Sequence, residues 1–171
     1  MEMPVPSHSK YTVRFLDQSV SEDARMIRDL VKLDWHSLAD DGMPYPGDDA
    51  IDLLYRGDIV FVGVFGPDLM AMWMVHESSV HTFVPLEARG YARQLGRVTL
   101  DWAFSRGGFS HLTTEVPEFN RRARLLAEGV GFRQVGYDRQ AGVRGGKPYA
   151  SRLYKLTKEE HASNSNHHSG G

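Results

Sequence analysis

The chain has 171 residues, of which 41% are hydrophobic and 25% charged, a balance that is typical of one globular domain and excludes a disordered or fibrous protein. The absence of cysteine excludes disulfides, zinc–thiolate sites and cysteine nucleophiles. Lys and Arg total 20 against 22 Asp and Glu, and the resulting net charge of −2 argues against a nucleic-acid-binding module.

The two ends of the chain differ in composition from the part between them. Residues 1–10 are rich in Pro and Ser and carry neither a basic nor an apolar run, so we expect a loose lead without a secretory signal. Residues 158–171 are almost devoid of apolar side chains, which predicts a disordered tail. No apolar run is long enough to cross a bilayer. We therefore predict one cytoplasmic domain over residues 11–157.

The first half of this domain changes from a mixed pattern to a purely strand-like one. Residues 11–16 alternate like a strand, and a capping-box spacing at Ser19 followed by apolar residues at helical intervals predicts a helix that stops at Gly42. The turn at 43–47 leads to a short helix through Ile51. Three strands are then predicted in succession, at residues 59–65, 69–75 and 79–84.

The second half alternates helices with strands. A helix is predicted over residues 92–104, a strand over 110–116, and a second helix from about Phe119. A closing pair of strands, 132–137 and 149–156, is separated by a loop at 141–147 that we expect to be flexible. The order β-α-α-β-β-β-α-β-α-β-β predicts an α/β fold with a mixed, mostly antiparallel central sheet flanked by helices.

The junction before the third of these helices carries a chemical signal. Gly90 and Ala92 are small and stand at the helix start, where unpaired backbone N–H groups and the helix dipole favour a phosphate. Arg89 and Arg93 add positive charge. The same pattern also occurs as a turn between a strand and a helix that binds no ligand, so both interpretations remain open here. It is not a P-loop, because the Gly-Lys-Ser/Thr ending is missing.

A second pattern begins at Asn120, which can cap the following helix, and runs into the next strand through Gly131-Phe132. Together, the two segments resemble the GNAT superfamily of acyl-CoA-dependent N-acyltransferases. The run 87–92 (EARGYA) matches the Gly and the Ala of the family's Gln/Arg-x-x-Gly-x-Gly/Ala signature, with Glu87 at its first position. Five residues match the family's Asn-x-x-Ala-x-x-Leu-Tyr-x-x-x-Gly-Phe motif, namely Asn120, Ala123, Leu126, Gly131 and Phe132. Through Glu77, His81 and Arg89-Gly90, the chain is especially similar to short GNAT-like proteins of tailed bacteriophages.

The resemblance implies acetyl-CoA as a co-substrate, with its pantetheine arm between the strands 79–84 and 110–116, which would splay apart. The pyrophosphate would lie at the glycine turn, and Asn120 would contact the arm. The cofactor contacts that the resemblance implies are Val84, Arg89, Gly90, Tyr91, Ala92, Arg93, Gln94 and Asn120. No metal site is predicted, since His76 and His81 have the wrong spacing for a helical zinc motif.

Two features leave the catalytic step open. Ala127 stands where the family often has a tyrosine that protonates the departing thiolate, and the candidate substitutes are Tyr137, Tyr149 and Tyr154. Glu77 and His81 are the candidate catalytic bases, and Glu115 is a further one. Each also has a structural interpretation, Glu77 as a surface charge and His81 as a half-buried side chain.

The sequence thus favours an N-acetyltransferase that transfers an acetyl group from acetyl-CoA to an amine by direct attack. The acceptor is unidentified, and we expect segments 35–47 and 141–147 to shape its site. The alternative is a non-catalytic GNAT-fold structural or binding protein, for example a phage particle component whose partners are phage structural proteins. Ala127 and Glu87 favour this alternative, whereas the Gly90 turn favours cofactor binding. An oligomer is compatible with both, and the virion is the location that the alternative implies.

Overall fold

A seven-stranded sheet forms the centre of the protein, whose computed structural model describes residues 10–39, 43–54 and 57–168. The strands are β1 (Thr12–Leu16), β2 (Ile59–Phe65), β3 (Leu69–His76), β4 (Ser79–Phe83), β5 (His111–Pro117), β6 (Arg133–Arg144) and β7 (Lys147–Thr157). The helices are α1 (Ser21–Leu33), α2 (Trp35–Leu38), α3 (Asp48–Leu54), α4 (Ala92–Ser105), α5 (Arg121–Gly129) and α6 (Lys158–His168), and a 3-10 helix (Leu86–Tyr91) precedes α4. The spatial order is β1-β2-β3-β4-β5-β7-β6, and all neighbours are antiparallel except β4 and β5. The predicted mixed, mostly antiparallel α/β sheet is confirmed.

Helices cover both faces of the sheet, which explains the continuous apolar runs in β2 and β3. Phe61 and Met72 are buried in a core with residues of α1 and α3. Their chain neighbours Val62 and Trp73 are buried in a second core with residues of α4 and α5. Because successive strand residues point to opposite faces, a strand buried on both sides shows no polar alternation. These two sides are called the α1 face and the α4 face below.

The parallel strands β4 and β5 are joined at their amino ends. Ser79 and Thr113 form the single ladder pair between them in the described structure. Thr113 N donates to the Ser78 carbonyl (2.7 Å), and Thr114 Oγ1 donates to the Val80 carbonyl (3.0 Å). No further pair forms toward the carboxyl ends, so the sheet is open between the two strands there. The splayed pair that the resemblance implied is therefore present as a gap in the middle of the sheet.

The C-terminal segment differs from the disordered tail predicted for residues 158–171. Residues up to 168 form α6, and the helix is capped reciprocally: Glu160 N donates to Thr157 Oγ1 (3.1 Å), and Thr157 N donates to a Glu160 carboxylate oxygen (2.9 Å). His161 Nε2 lies 2.6 Å from Asp101 Oδ1, which ties α6 to α4. The capping-box spacing from Thr157 to Glu160 was the sequence signal for this helix. Like the other described helices, α6 lacks the length and apolar character needed to span a membrane. The lead predicted at 1–10 lies, except for Lys10, outside the described residues.

The flexible loop predicted at 141–147 is part of a long hairpin instead. β6 extends to Arg144, and Gly145 and Gly146 form the turn with φ of +58° and +74°. Two consecutive left-handed residues suit the tight turns that match strand twist, and glycine adopts them without steric cost. The pairing of β6 is irregular between Asp138 and Gly142, just beyond the predicted end of the strand at residue 137. The hairpin therefore carries its own ordered side chains back over the sheet.

Candidate active site

A cavity of about 1240 Å³ occupies the gap between β4 and β5. Its walls come from both faces of the sheet, since α4, α5, the break between α1 and α2, and the β6–β7 hairpin all contribute side chains. Ligand pockets for small molecules are typically about 300–1,000 Å³. The cavity is therefore large enough for an extended ligand together with a second, smaller one.

On the α4 face the cavity meets the amino end of α4. Tyr91, the N-cap residue of this 14-residue helix, makes no side-chain capping bond, and the first N–H group, that of Ala92, donates to the Arg89 carbonyl of the preceding 3-10 helix. No atom lies within 4 Å of the position that a Cβ on Gly90 would occupy, which leaves the turn open. Arg89 and Arg93 line the same wall. Backbone donors, helix dipole and guanidinium groups together suit an anion.

Arg93 is packed against the carboxyl end of α5. Its guanidinium atoms lie 2.9–3.0 Å from the position that a Cβ on Gly129 would take. A side chain at Gly129 would therefore displace the guanidinium. The contact joins the α4 and α5 walls of the cavity and restrains one of its cations.

Asn120 lines the cavity at the start of α5 and caps that helix. Its Oδ1 accepts a hydrogen bond from Ala123 N (3.1 Å), so the capping role predicted from the sequence is present. The amide nitrogen remains as the group that can donate to a ligand. Further along α5, Ala127 is 7% exposed and lines the same wall, so this position brings no hydroxyl to the site.

His81 and Glu115 line the cavity from the α1 face. His81 stands two residues before Phe83, which is buried in the core beneath α1, and the two rings are 4.8 Å apart. On β5, Leu112 and Val116 are buried in the core of the α4 face, so Glu115 points to the opposite side. The acid–base groups thus lie on the α1 face of the gap, and Arg89 and Arg93 come from the elements that cover the α4 face.

Asp34 approaches His81 from the break between α1 and α2. Its Oδ2 lies 3.4 Å from His81 Nε2, and Ser37 Oγ donates to its Oδ1 (2.9 Å). Burial by itself would raise the pKa of the Asp34 carboxyl, but the hydrogen bonds with His81 and Ser37 together hold it below its usual value. An ionised carboxylate therefore stands next to the imidazole, where it can orient the ring.

The β6–β7 hairpin supplies the remaining wall. The Tyr149 ring packs edge-on against Phe119 with centroids 5.2 Å apart. The Tyr149 hydroxyl lies 2.6 Å from the position of a Cβ on Gly142, its cross-strand partner, so only glycine leaves room for it. The Arg144 guanidinium lies over the Phe119 ring, 4.9 Å from its centroid. Phe119 thus holds two side chains of the hairpin at the cavity.

The structure separates the two predicted catalytic residues. His81 lines the cavity, whereas Glu77 lies in the exposed turn between β3 and β4 with a φ of +55° and is not part of the cavity wall. Glu77 belongs to neither β3 nor β4, so strand alternation does not bring it to the face of His81. A two-residue turn between adjacent strands, with Glu77 in the left-handed region, explains the difference.

Most of the predicted cofactor contacts line the cavity, namely Val84, Arg89, Gly90, Ala92, Arg93 and Asn120. Tyr91 and Gln94 do not. Of the three candidate tyrosines, Tyr149 lines the cavity. Tyr137 donates to Glu118 instead, and Tyr154 donates to Glu128 (2.8 Å), with burial and that carboxylate raising the pKa of Tyr154.

Several wall residues were not singled out from the sequence, among them Asp34, His36, Ser37, Phe119 and Thr114. Asp34 was hidden because one continuous helix was predicted up to Gly42, whereas α1 ends at Leu33. The helix break puts its carboxylate beside a strand 47 residues later in the chain. No local pattern marks such a contact.

Residues 40–166 match a protein family described as "Protein of unknown function (DUF2824)". Among curated proteins, none matches the chain significantly. Solved structures with the same fold include the spermidine N-acetyltransferase of Vibrio cholerae in complex with CoA and spermine, at 19% identity, 90% coverage of this chain, 99% of that one and a TM-score of 0.73. The spermidine/spermine N-acetyltransferase SpeG of that organism, in complex with manganese ions, matches at 19% identity with a TM-score of 0.71. The match covers 92% of this chain and 98% of that one. A chimera of SpeG and hSSAT matches at 20% identity with a TM-score of 0.73, and the match covers 90% of this chain and 99% of the chimera. At these identities the likeness establishes the fold.

Proposed function

The chain belongs to the DUF2824 family, and from its cavity we propose that it is an N-acetyltransferase that transfers an acetyl group from acetyl-CoA to an amine. The observation that carries this proposal is the passage between β4 and β5, with an anion-suited helix start on one face and an imidazole–carboxylate pair on the other. The neighbour in complex with CoA and spermine supports a CoA thioester as donor and an amine as acceptor.

The α4 face has the features that a CoA thioester needs. The open Gly90 turn and the positive end of the α4 dipole suit the pyrophosphate, and Arg89 and Arg93 add charge. Where β4 and β5 part, their facing backbone groups form no ladder bonds with each other. Such unpaired groups can bond the amides of a pantetheine arm, as a strand edge bonds an added strand.

On the α1 face the acceptor amine would meet His81. An amine of the lysine type has a pKa of about 10.4, so it arrives as ammonium and must lose a proton before attack. His81, oriented by Asp34, takes that proton. The nitrogen then attacks the thioester carbonyl carbon and the C–N bond forms. As the C–S bond breaks, CoA leaves as thiolate, and the nitrogen releases its second proton to solvent to give the neutral amide. Glu115 lies on the same face and is the alternative proton acceptor.

The leaving thiolate needs little help from the protein. A thiol pKa of about 8.5 makes the thiolate a tolerable leaving group near neutral pH. Ala127 has no proton to give, and Tyr149 is the one among the three candidate tyrosines that lines the cavity. The absence of a hydroxyl at Ala127 is therefore compatible with turnover.

The proposal is tested by measuring binding and turnover separately. Acetyl-CoA at 100 times its dissociation constant should stabilise the fold by about 2.7 kcal/mol, which a thermal melt detects. Thiol release from acetyl-CoA, followed over a panel of amines, then measures transfer. An unchanged melting temperature at millimolar acetyl-CoA would contradict the proposal.

The non-catalytic alternative, a GNAT-fold structural or binding protein such as a phage particle component, is favoured by one observation: the wall position of Ala127 carries no hydroxyl. It predicts a different result in the same experiment. Stabilisation by acetyl-CoA without thiol release on any amine would identify a CoA-binding protein that has lost transfer. No stabilisation at all would leave a structural role for the fold.

A further inference from the structure

The α1-face mouth of the cavity carries a cation among its acid–base groups. Arg144 lines the cavity, and it reaches this wall from the β6–β7 hairpin. In β7, Tyr154 and Leu156 are buried in the core of the α4 face, so Tyr149 points to the α1 face. Arg144 pairs with Lys147, two residues before Tyr149, and therefore shares that face. His81, Glu115 and Arg144 thus lie on one side of the sheet.

The Arg144 guanidinium is held in place without being neutralised. It lies over the Phe119 ring at 4.9 Å, and Phe119 in turn contacts the Tyr149 ring. Among the ion pairs of residues 10–39, 43–54 and 57–168, none involves Arg144. A guanidinium stacked on an aromatic face keeps its N–H edge available for a planar anion. The two glycines of the hairpin turn allow the tight reversal that brings it there.

The opposite side of this mouth is anionic. The pKa of Asp34 is held below its usual value, so its carboxylate is ionised, and Glu115 adds a second carboxyl group. A substrate with only positive charges would meet Arg144 as a repulsive neighbour. A substrate that carries both an ammonium and an anionic group would satisfy both sides at once.

Building on the proposed function, we infer that the acceptor is an amine that also carries a carboxylate, such as an amino acid, and that Arg144 binds this carboxylate. The amine then points toward His81 and Asp34, and the guanidinium fork pairs with the carboxylate oxygens. This separates the chain from its structural neighbours, which are named for the polyamines spermidine and spermine. Specificity would rest on the hairpin cation and would require no change in the fold.

The experiment compares L-leucine with 3-methylbutylamine, and L-lysine with cadaverine, so that the two members of each pair differ by the carboxyl group alone. Binding is measured by calorimetry in the presence of saturating CoA, and turnover is measured by thiol release from acetyl-CoA. The variants are Arg144→Gln and, as a matched control, Lys147→Gln. Lys147 is an exposed cation on the same hairpin and face, and it does not line the cavity.

The parent should bind and acetylate each amino acid better than its paired amine. Arg144→Gln should weaken amino-acid binding by about 10- to 100-fold, as expected for a lost charge-assisted bond, and should not weaken binding of the paired amines, which lose a repulsive neighbour. Lys147→Gln should behave as the parent. Equal use of both members of a pair by the parent would overturn the inference, as would an Arg144→Gln effect confined to the KM for acetyl-CoA, which would assign the guanidinium to a cofactor phosphate.

The two proposals fail in different ways. Arg144-dependent binding of amino acids without thiol release would contradict the acetyltransferase and leave the acceptor inference in place. Thiol release with no preference for amines that carry a carboxylate would support the acetyltransferase and contradict the acceptor inference. Stabilisation by acetyl-CoA together with no binding of either amino acid would overturn the acceptor inference alone.

Discussion

The two mouths of the cavity, one on the α4 face and one on the α1 face, are formed by different kinds of groups. On the α4 face, the site consists of backbone N–H groups at a helix start, a small residue at Gly90, and arginines within one turn of it. On the α1 face, it consists of side chains from separate segments: Asp34 from a helix break, His81 from a strand, and Arg144 from a hairpin. The donors of the α4-face mouth belong to one continuous segment, so their relative positions are set by local structure. The α1-face mouth exists only when three segments meet.

This difference predicts which changes affect the cofactor and which affect the acceptor. Substitutions on the α4 face should alter affinity for acetyl-CoA, and substitutions on the α1 face should alter turnover at unchanged cofactor affinity. A variant that changed acetyl-CoA affinity and turnover by the same factor would contradict this division between the two faces.

The largest effect is expected at His81. His81→Gln should lower turnover by roughly 10²–10⁴-fold, the usual contribution of a positioned general base, with acetyl-CoA affinity nearly unchanged. Single-turnover thiol release and calorimetry measure the two quantities. Glu77→Gln is the matched control, since Glu77 lies outside the cavity, and it should retain parental turnover. Parental turnover in His81→Gln would transfer the role of base to Glu115.

Gly90 provides the next largest effect, on the other mouth. Its Cβ position is open, so Gly90→Val should fold, but the side chain would keep a phosphate from the backbone. Losing two charge-assisted bonds corresponds to about a hundredfold or more in affinity. Calorimetric titration with acetyl-CoA measures the loss, and Gly90→Ala should give a smaller one. Gly66→Ala, at a turn away from the cavity, should bind acetyl-CoA as the parent does.

Arg89 sharpens the same comparison with a smaller effect. Arg89→Gln should weaken acetyl-CoA about tenfold at low salt, because one exposed guanidinium contributes a charge-assisted but screened interaction. The difference from the parent should shrink as salt is raised. Arg106→Gln removes a charge from the far end of α4, outside the cavity wall, and serves as the control. A deficit that does not depend on salt would point to a packing role for Arg89.

The smallest effect is one of stability, in the layer that supports the α1 face. The Arg14 guanidinium donates to both Asp23 carboxylate oxygens (2.7 and 2.9 Å), and this bond lowers the pKa of Asp23 despite burial. A carboxyl with a lowered folded-state pKa stabilises the fold above its unfolded value of about 3.9. That stabilisation disappears as the pH falls through the folded-state value.

Asp23→Asn should therefore lower the free energy of unfolding by about 1–3 kcal/mol at pH 7, as expected when a buried charged partner is removed. The difference from the parent should shrink as the pH falls below about 3.9 and through the lowered folded-state pKa of Asp23. Urea unfolding at several pH values measures it. Asp29→Asn, on the exposed side of the same helix, is the control, and a pH-independent difference for Asp23→Asn would contradict the ion-pair explanation.

Much of the cofactor side could be predicted because its signals are local. The spacing of Gly90, Ala92 and Asn120 can be read from the sequence. Each of these residues lies at or near a helix start that follows a strand, so local structure sets its position. The acceptor side could not be predicted in this way. Asp34 and His81 are 47 residues apart, and their contact depends on where α1 ends. Glu77 was predicted as a base but lies in a turn outside the cavity, whereas Asp34 was not predicted at all.

By itself, the sequence determined the α/β class, the order of the strands, and the helix start with its small residues and arginines, because periodicity and turn chemistry are properties of neighbouring residues. Only the tertiary structure decided that α6 meets α4 through His161 and Asp101, and that the β6–β7 hairpin lines the cavity. It also decided that an imidazole, a carboxylate and a guanidinium share one face of the gap. Those contacts join segments that are distant in the chain, and the free energy that selects them comes from packing the whole sheet.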